Sequence, residues 1–273
     1  MINRYLTLPK EKSFFLFGPR QSGKTMLVES LLDSLDTFSL NLLLTSEYSR
    51  LLADPTQFEK ELAAAIKSGK KTVFIDEIQR IPELLNVIHV FIEKNKDVQF
   101  ILTGSSARKL KRMNANLLGG RALTRKLYPF CHAEIKDCFT SLPDILAFGL
   151  IPPVYLSPDR EGKKDILRSY VDTFIKEEIE AEAKIRKLDS FFRFLQVAGN
   201  ENGNPLNFSK IGRDVGANYN TVKDHFQLLE DCLIGFFLHP FVRSKLKRLS
   251  RHPNFYFFDP WVVLTLTRRL NTE

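Results

Sequence analysis

The chain has 273 residues, with 40 Lys and Arg against 32 Asp and Glu, a formal charge of +8. Hydrophobic residues make up 44% and charged residues 26%, which excludes a disordered or fibrous chain; at roughly 100–200 residues per domain, about two domains are expected. Three Cys cannot build a disulfide framework, and no apolar run approaches the about 18 residues a spanning helix needs.

Residues 1–12 carry Arg4, Lys10, Glu11 and Lys12 without an apolar stretch, so they read as a lead-in and not as a secretory signal. A reducing, cytoplasmic setting without membrane attachment is the expectation. Residues 13–17 (SFFLF) predict a buried strand closed by Gly18-Pro19. From Thr25 a helix is predicted, with Met26, Leu27, Leu31, Leu32 and Leu35 on one face. Residues 38–44 read as a second strand and 55–67 as a helix stopped by Ser68-Gly69-Lys70. A strand over 72–75 ends on Asp76-Glu77, and a helix over 82–93 opens on Pro82. Residues 98–103 form another apolar strand ending at Gly104, and 122–127 a further one. Continuous apolar strands separated by helices predict a parallel sheet covered on both faces.

Pro and Gly then punctuate residues 129–162, which places a domain boundary near 150–162. Residues 163–198 read as helical and charge-mixed, and 199–205 (GNENGNP) as a loop. Helix 208–215, turn 216–218 and helix 219–232 precede two apolar runs, 233–242 and 254–258, joined by the basic segment 243–251. Helix-turn-helix followed by a hairpin is the winged-helix pattern.

Gly18-Pro19-Arg20-Gln21-Ser22-Gly23-Lys24-Thr25 fits G-x-x-x-x-G-K-[ST], between a predicted strand and a predicted helix. Backbone N–H groups of such a loop face one concavity and hold phosphate oxygens, while glycine lets the backbone approach closely. Lys24 would reach the β- and γ-phosphates, and Thr25 would give its hydroxyl to Mg²⁺. Asp76 and Glu77 follow a buried strand, at the sheet edge where ligands of open α/β sheets bind. Asp76 would hold Mg²⁺ through water, and Glu77 would polarise the attacking water. A third strand ends in Thr103-Gly104-Ser105, where Thr103 or Ser105 would lie between the carboxylates and the γ-phosphate; spacing does not choose between them. No N-K-x-D guanine signature is present, which favours adenine.

The motifs GPRQSGKT, VFIDEIQRIP and ILTGSSARKL, with LLGGRALTRKLYPF after them, resemble those of prokaryotic AAA-type ATPases that join an ATPase core to a C-terminal domain of unknown function. SYVDTFIKEEI, FSKIGRDVGANYNTVKDHFQLLEDCLI and FYFFD continue the likeness. The resemblance implies an α/β P-loop core of the additional-strand class, strand order 5-1-4-3-2, over residues 1–155. It implies a mostly helical, winged-helix-like domain over 156–273, with ATP and Mg²⁺ as cofactors. Arg121, after Gly119-Gly120, would reach a neighbouring subunit's γ-phosphate, which implies a homo-oligomer. Family members continue past FYFFD into a nuclease-like domain; this chain stops at Glu273, so nuclease activity is not carried over and a truncated or naturally short form is expected.

Two readings of the function lead, ahead of a third in which the chain is a degraded fragment that folds but has lost its effector. In one, ATP hydrolysis rearranges the second domain. In the other, the chain is a nucleotide-regulated module with little turnover that binds duplex DNA or a protein through residues 208–258. Arg108, Lys109, Lys111 and Arg112 form a basic helix face, solvated or directed at nucleic acid. Asn218, Asn220, Thr221 and Lys223 lie at the start of the second helix of the helix-turn-helix, where readers of DNA make contact. Cys131, His132 and Cys138 lack a fourth zinc ligand nearby.

Overall fold

A computed structural model describes residues 2–105, 118–139, 141–170, 188–241 and 252–269. Arg108, Lys109, Lys111 and Arg112, residues 171–187 of the predicted helix 163–198, and the basic segment 243–251 lie outside the described residues. The chain forms two compact units, one of Asn3–Tyr128 and one of Met1–Ile2 with Pro129–Glu273.

In the first unit, β1 (Phe14–Phe17), β2 (Thr37–Asn41), β3 (Thr72–Asp76), β4 (Gln99–Gly104) and β5 (Leu123–Lys126) make one sheet in the order β2-β3-β4-β1-β5. Every neighbouring pair is parallel. This is the expected 5-1-4-3-2 order. Between the strands run α1 (Lys24–Glu29), α2 (Thr45–Ala53), α3 (Thr56–Lys67) and α4 (Leu84–Lys94). All four residues of β1 are buried, as are Val73 to Asp76 of β3 and Phe100 to Gly104 of β4. That is why these strands read as unbroken apolar runs: both sheet faces are covered. Phe14, Leu16, Val28, Phe74 and Ile101 pack into one cluster, each worth roughly 1.5–3 kcal/mol when fully buried.

The helix predicted through Leu35 ends at Glu29 instead. Ser30 Oγ donates back to the Leu27 carbonyl at 2.8 Å, and Asp33 Oδ1 accepts from Leu35 N–H at 2.9 Å. Short polar side chains here offer the backbone local bonds that compete with the helix. Met26, Leu31 and Leu35 are consequently exposed, and Val28 is the residue that enters the core. Strand β2 stops at Asn41 and not Leu44 for a similar reason: Asn41 Oδ1 accepts from Leu43 N–H at 2.8 Å and turns the chain.

The second unit contains α5 (His132–Ile135), α6 (Leu142–Phe148), α7 (Pro152–Tyr155), α8 (Arg160–Ser169), α9 (Leu188–Asn200), α10 (Phe208–Val215), α11 (Tyr219–Asp231), β6 (Gly235–Leu238), β7 (Asn254–Phe257) and α12 (Pro260–Leu266). Phe148, Ile151 and Val154 share a core with Leu167, Phe191, Phe194, Phe226, Phe255 and Trp261. The division between units therefore falls at Tyr128/Pro129, ahead of the boundary read from the Pro and Gly spacing. Phe148, Ile151 and Val154 belong to the second core, and Phe130, Ile135 and Tyr155 to a smaller cluster of the same unit, which that spacing does not reveal.

Helices α10 and α11 form the expected helix-turn-helix. Gly216 caps α10 in the left-handed region (φ 71°), a conformation glycine takes without a Cβ penalty. Asn218 Oδ1 accepts from Thr221 N–H at 2.8 Å and from Thr221 Oγ1 at 3.1 Å. These two side chains thus serve as the helix cap. β6 and β7 pair antiparallel, with Phe237 opposite Phe255. Phe226 meets Phe194 and Phe255 edge-on, with ring centroids 4.9 and 5.1 Å apart. The abundant Phe of the sequence goes into packing here.

Candidate functional site

The exits of β1, β3 and β4 are neighbours in the sheet, so three segments far apart in sequence meet at one edge. The loop Gly18–Thr25 leaves β1 and enters α1. Gly18 approaches the strand beside it so closely that a Cβ would lie 2.1 Å from the Leu127 carbonyl oxygen. Arg20 and Gln21 form the exposed tip, whereas Gly18, Pro19, Ser22 and Lys24 are buried. Gln21 and Gly23 take positive φ, 60° and 89°. Lys24 curls back over the loop, and its Nζ donates to the carbonyls of Gly18 at 2.9 Å and Pro19 at 3.0 Å.

Thr25 Oγ1 donates to Asp76 Oδ2 at 3.0 Å. Thr103 Oγ1 donates to the other carboxylate oxygen, Oδ1, and accepts from Glu77 N–H at 3.4 Å. Asp76 is 1% exposed and Thr103 fully buried. A carboxylate so enclosed is stabilised by donors on both oxygens. The neighbouring carboxylate and hydroxyl of Asp76 and Thr25 are hard oxygen ligands of the kind Mg²⁺ takes. Glu77 stands just beyond, with its backbone in the left-handed region (φ 58°), which is uncommon for a residue other than glycine.

Of the two hydroxyls at the end of β4, Thr103 is on Asp76, while Ser105 is linked towards Glu77 by Gln79. Arg121 is apart from this cluster. It lies on the surface, ion-paired with Glu93 of α4.

Sequence reading missed three residues that organise the site. Arg4, in the lead-in, donates from Nη1 to the Ser22 carbonyl at 2.9 Å and from Nη2 to the Tyr128 carbonyl. No spacing rule connects a lead-in residue to the loop. Gln79 and Arg80 occupy a single 3₁₀ turn (Ile78–Arg80) directly after Glu77. Arg80 donates to the Leu42 carbonyl at 2.8 Å and lies 4.3 Å over the Tyr48 ring. A polar pair following Asp-Glu was the available signal for both.

Residues 10–136 match the AAA domain family, and residues 139–273 match a domain of unknown function (DUF8612). Residues 10–136 are an AAA-type P-loop domain. An uncharacterized protein of Mycobacterium tuberculosis is 27% identical over 247 residues, covering 89% of this chain and 53% of its own length. An uncharacterized protein of Methanocaldococcus jannaschii is 24% identical over 291 residues, covering 95% of this chain and 64% of its own. The chain thus spans between about half and two thirds of the length of these curated relatives. Among solved structures, the ADP form of the Aeropyrum pernix ORC2 protein aligns with a TM-score of 0.42 and 12% identity, covering 95% of this chain and 88% of that one. The replication initiator DnaA bound to AMPPCP and single-stranded DNA aligns at 0.38 and 12%, covering 81% and 82%. Scores at this level assign no role to any residue.

The AAA domain is a nucleotide-binding fold, and Gly18–Thr25 carries the G-x-x-x-x-G-K-[ST] spacing between β1 and α1. Among the described residues, no helix is long and apolar enough to cross a membrane.

Proposed function

We propose that the AAA domain binds ATP with Mg²⁺ and hydrolyses the terminal phosphate, and that turnover rearranges the unit carrying the helix-turn-helix. The observation that carries this reading is the Thr25–Asp76 contact at 3.0 Å. It brings together the loop hydroxyl and the strand-end carboxylate that the two motifs supply separately. Backbone N–H groups from Gly18 to Lys24 hold phosphate oxygens, and the Lys24 ammonium neutralises the terminal phosphates. Thr25 and Asp76 hold Mg²⁺, Asp76 through water. Bound there, the ion would supply positive charge at the phosphates. Glu77 orients and polarises the attacking water, and Thr103 or Ser105 contacts the γ-phosphate. Arg121 acts on a second subunit's nucleotide, which requires the pair with Glu93 to open. The cytoplasm is the compartment this chemistry suits.

A fluorescent ATP analogue tests the binding step. With Mg²⁺ present, the protein should bind it saturably, and Lys24→Ala should weaken binding by at least about tenfold, near 1.4 kcal/mol. Equal affinity in both proteins would overturn the reading.

The second reading is a nucleotide-regulated module with little turnover that contacts duplex DNA or a protein. The exposed face of α11, with Tyr219, Asn220, Lys223 and Gln227, favours it. Asp224 on the same face opposes phosphate contact. Fluorescence anisotropy with duplex DNA across a salt series decides: DNA binding shows log affinity falling by about 0.9 per phosphate neutralised. No binding at low salt leaves a protein contact for this face.

A further inference from the structure

Gln79 is 6% exposed and follows Glu77 by two residues in the 3₁₀ turn. Its side-chain Nε2 carries two protons, and each has an acceptor: Glu77 Oε2 and, at 3.1 Å, Ser105 Oγ. An ionised carboxylate only accepts, so Glu77 dictates which end of the amide faces it. The other end, Oε1, faces Gly104, where a Cβ would lie 2.4 Å from it. A side chain at position 104 would push the amide off its partners. Glycine at the exit of β4 is thus what lets Gln79 fit between the two strand ends.

We propose that Gln79 is the positioning residue of Glu77. Its amide clamps the Glu77 carboxylate and ties it to Ser105, so that the exits of β3 and β4 hold the carboxylate together. This inference rests on reading Glu77 as the residue that orients the attacking water. Glu77 has a flexible three-carbon reach, and its backbone sits in a sparsely populated conformation. A carboxylate that must aim one water needs its own orientation fixed by neighbouring groups. Gln79 supplies that fixing without being near the loop Gly18–Thr25 in sequence, and Ser105 extends it to the strand end expected to contact the γ-phosphate.

The clamp is tested in two ways. Gln79→Met keeps the length and removes both donors, and Gly104→Ala displaces the amide from its other side. Each should lower the single-turnover hydrolysis rate by about 10–100-fold, with nucleotide affinity within about twofold of wild type. Added to Glu77→Gln, Gln79→Met should cause no further loss, because Gln79 acts through Glu77. The second readout uses nucleotide-free protein: the two side-chain amide proton resonances of Gln79. Glu77→Ala should shift one of them and Ser105→Ala the other. An undiminished rate in Gln79→Met, a further loss on the Glu77→Gln background, or resonances indifferent to both substitutions would each overturn the inference. Wild-type protein that never hydrolyses ATP would instead refute the role of Glu77, while the amide resonances still decide whether the clamp exists.

Discussion

Thr25 donates a hydrogen bond to Asp76 at 3.0 Å across 51 residues of sequence. The loop after β1 and the end of β3 are not adjacent in the sheet; β4 lies between them. Its Thr103 hydroxyl occupies the second oxygen of the same carboxylate. One buried carboxylate therefore gathers three strand exits.

Removing that carboxylate should affect both folding and ion binding. Asp76→Ala leaves the Thr25 and Thr103 hydroxyls without their shared acceptor, at a cost of about 1–3 kcal/mol. Asp76→Asn keeps the shape and should retain the fold. Nucleotide affinity measured with Mg²⁺ and with EDTA should then become the same in Asp76→Asn, while wild type binds more tightly with Mg²⁺. Ion-dependent binding that persists in Asp76→Asn would remove Asp76 from the metal site.

Arg4 fastens the loop Gly18–Thr25 from outside. Its two guanidinium nitrogens reach the carbonyls of Ser22 and Tyr128, a fork that a lysine ammonium does not reproduce. Arg4→Ala should weaken ATP-analogue binding by about 3–10-fold, near 1 kcal/mol, and Arg4→Lys should restore little of it. Hydrogen exchange of the 18–25 amides should rise in the same variants. Unchanged exchange would make Arg4 a surface tether only.

What was legible in the sequence follows from the kind of signal each element leaves. Strands β1, β3 and β4 read correctly because burial on both faces makes them unbroken apolar runs, and Gly18–Thr25 because its chemistry fixes spacing, whereas the edge strands β2 and β5 are partly exposed and leave a weaker pattern. Helix α2 left little pattern: of its nine residues only Leu51 is buried. Helices α6 and α7 read as Pro-rich punctuation, and no helix was expected over α12. In each the proline sits in the first turn, where its missing N–H costs nothing, and α6 and α12 are capped by the side chains of Ser141 and Asp259. Arg4 stayed hidden because its partners come from tertiary packing, and Gln79 because its link to Ser105 does.

Asp259 should give the second unit a pH dependence. It is buried, accepts from Leu150 N–H at 2.7 Å and caps α12 through Trp261 N–H at 3.3 Å. Burial pushes its carboxyl up to about 7, against the opposing pull of these two N–H donors. The folded state then binds the proton more tightly than the unfolded chain does. The contribution to stability is full below about pH 4, declines as pH rises towards 7, and is flat above, with an upper bound near 4 kcal/mol. Asp259→Asn keeps an acceptor and cannot titrate. Denaturant unfolding of the variant should show a shallower decline between pH 4 and 7 than wild type, and an identical decline would place the titration elsewhere.

The role of Glu77 is tested most directly by phosphate release at saturating ATP and Mg²⁺, comparing wild type with Glu77→Gln. The amide fits the same space and leaves the loop Gly18–Thr25 intact, but it does not polarise water as a carboxylate does. Wild type should turn over, and Glu77→Gln should bind the nucleotide within about twofold of wild type while releasing phosphate at least about 100-fold more slowly. Equal phosphate release by the two proteins would contradict the role given to Glu77 and the site built around it.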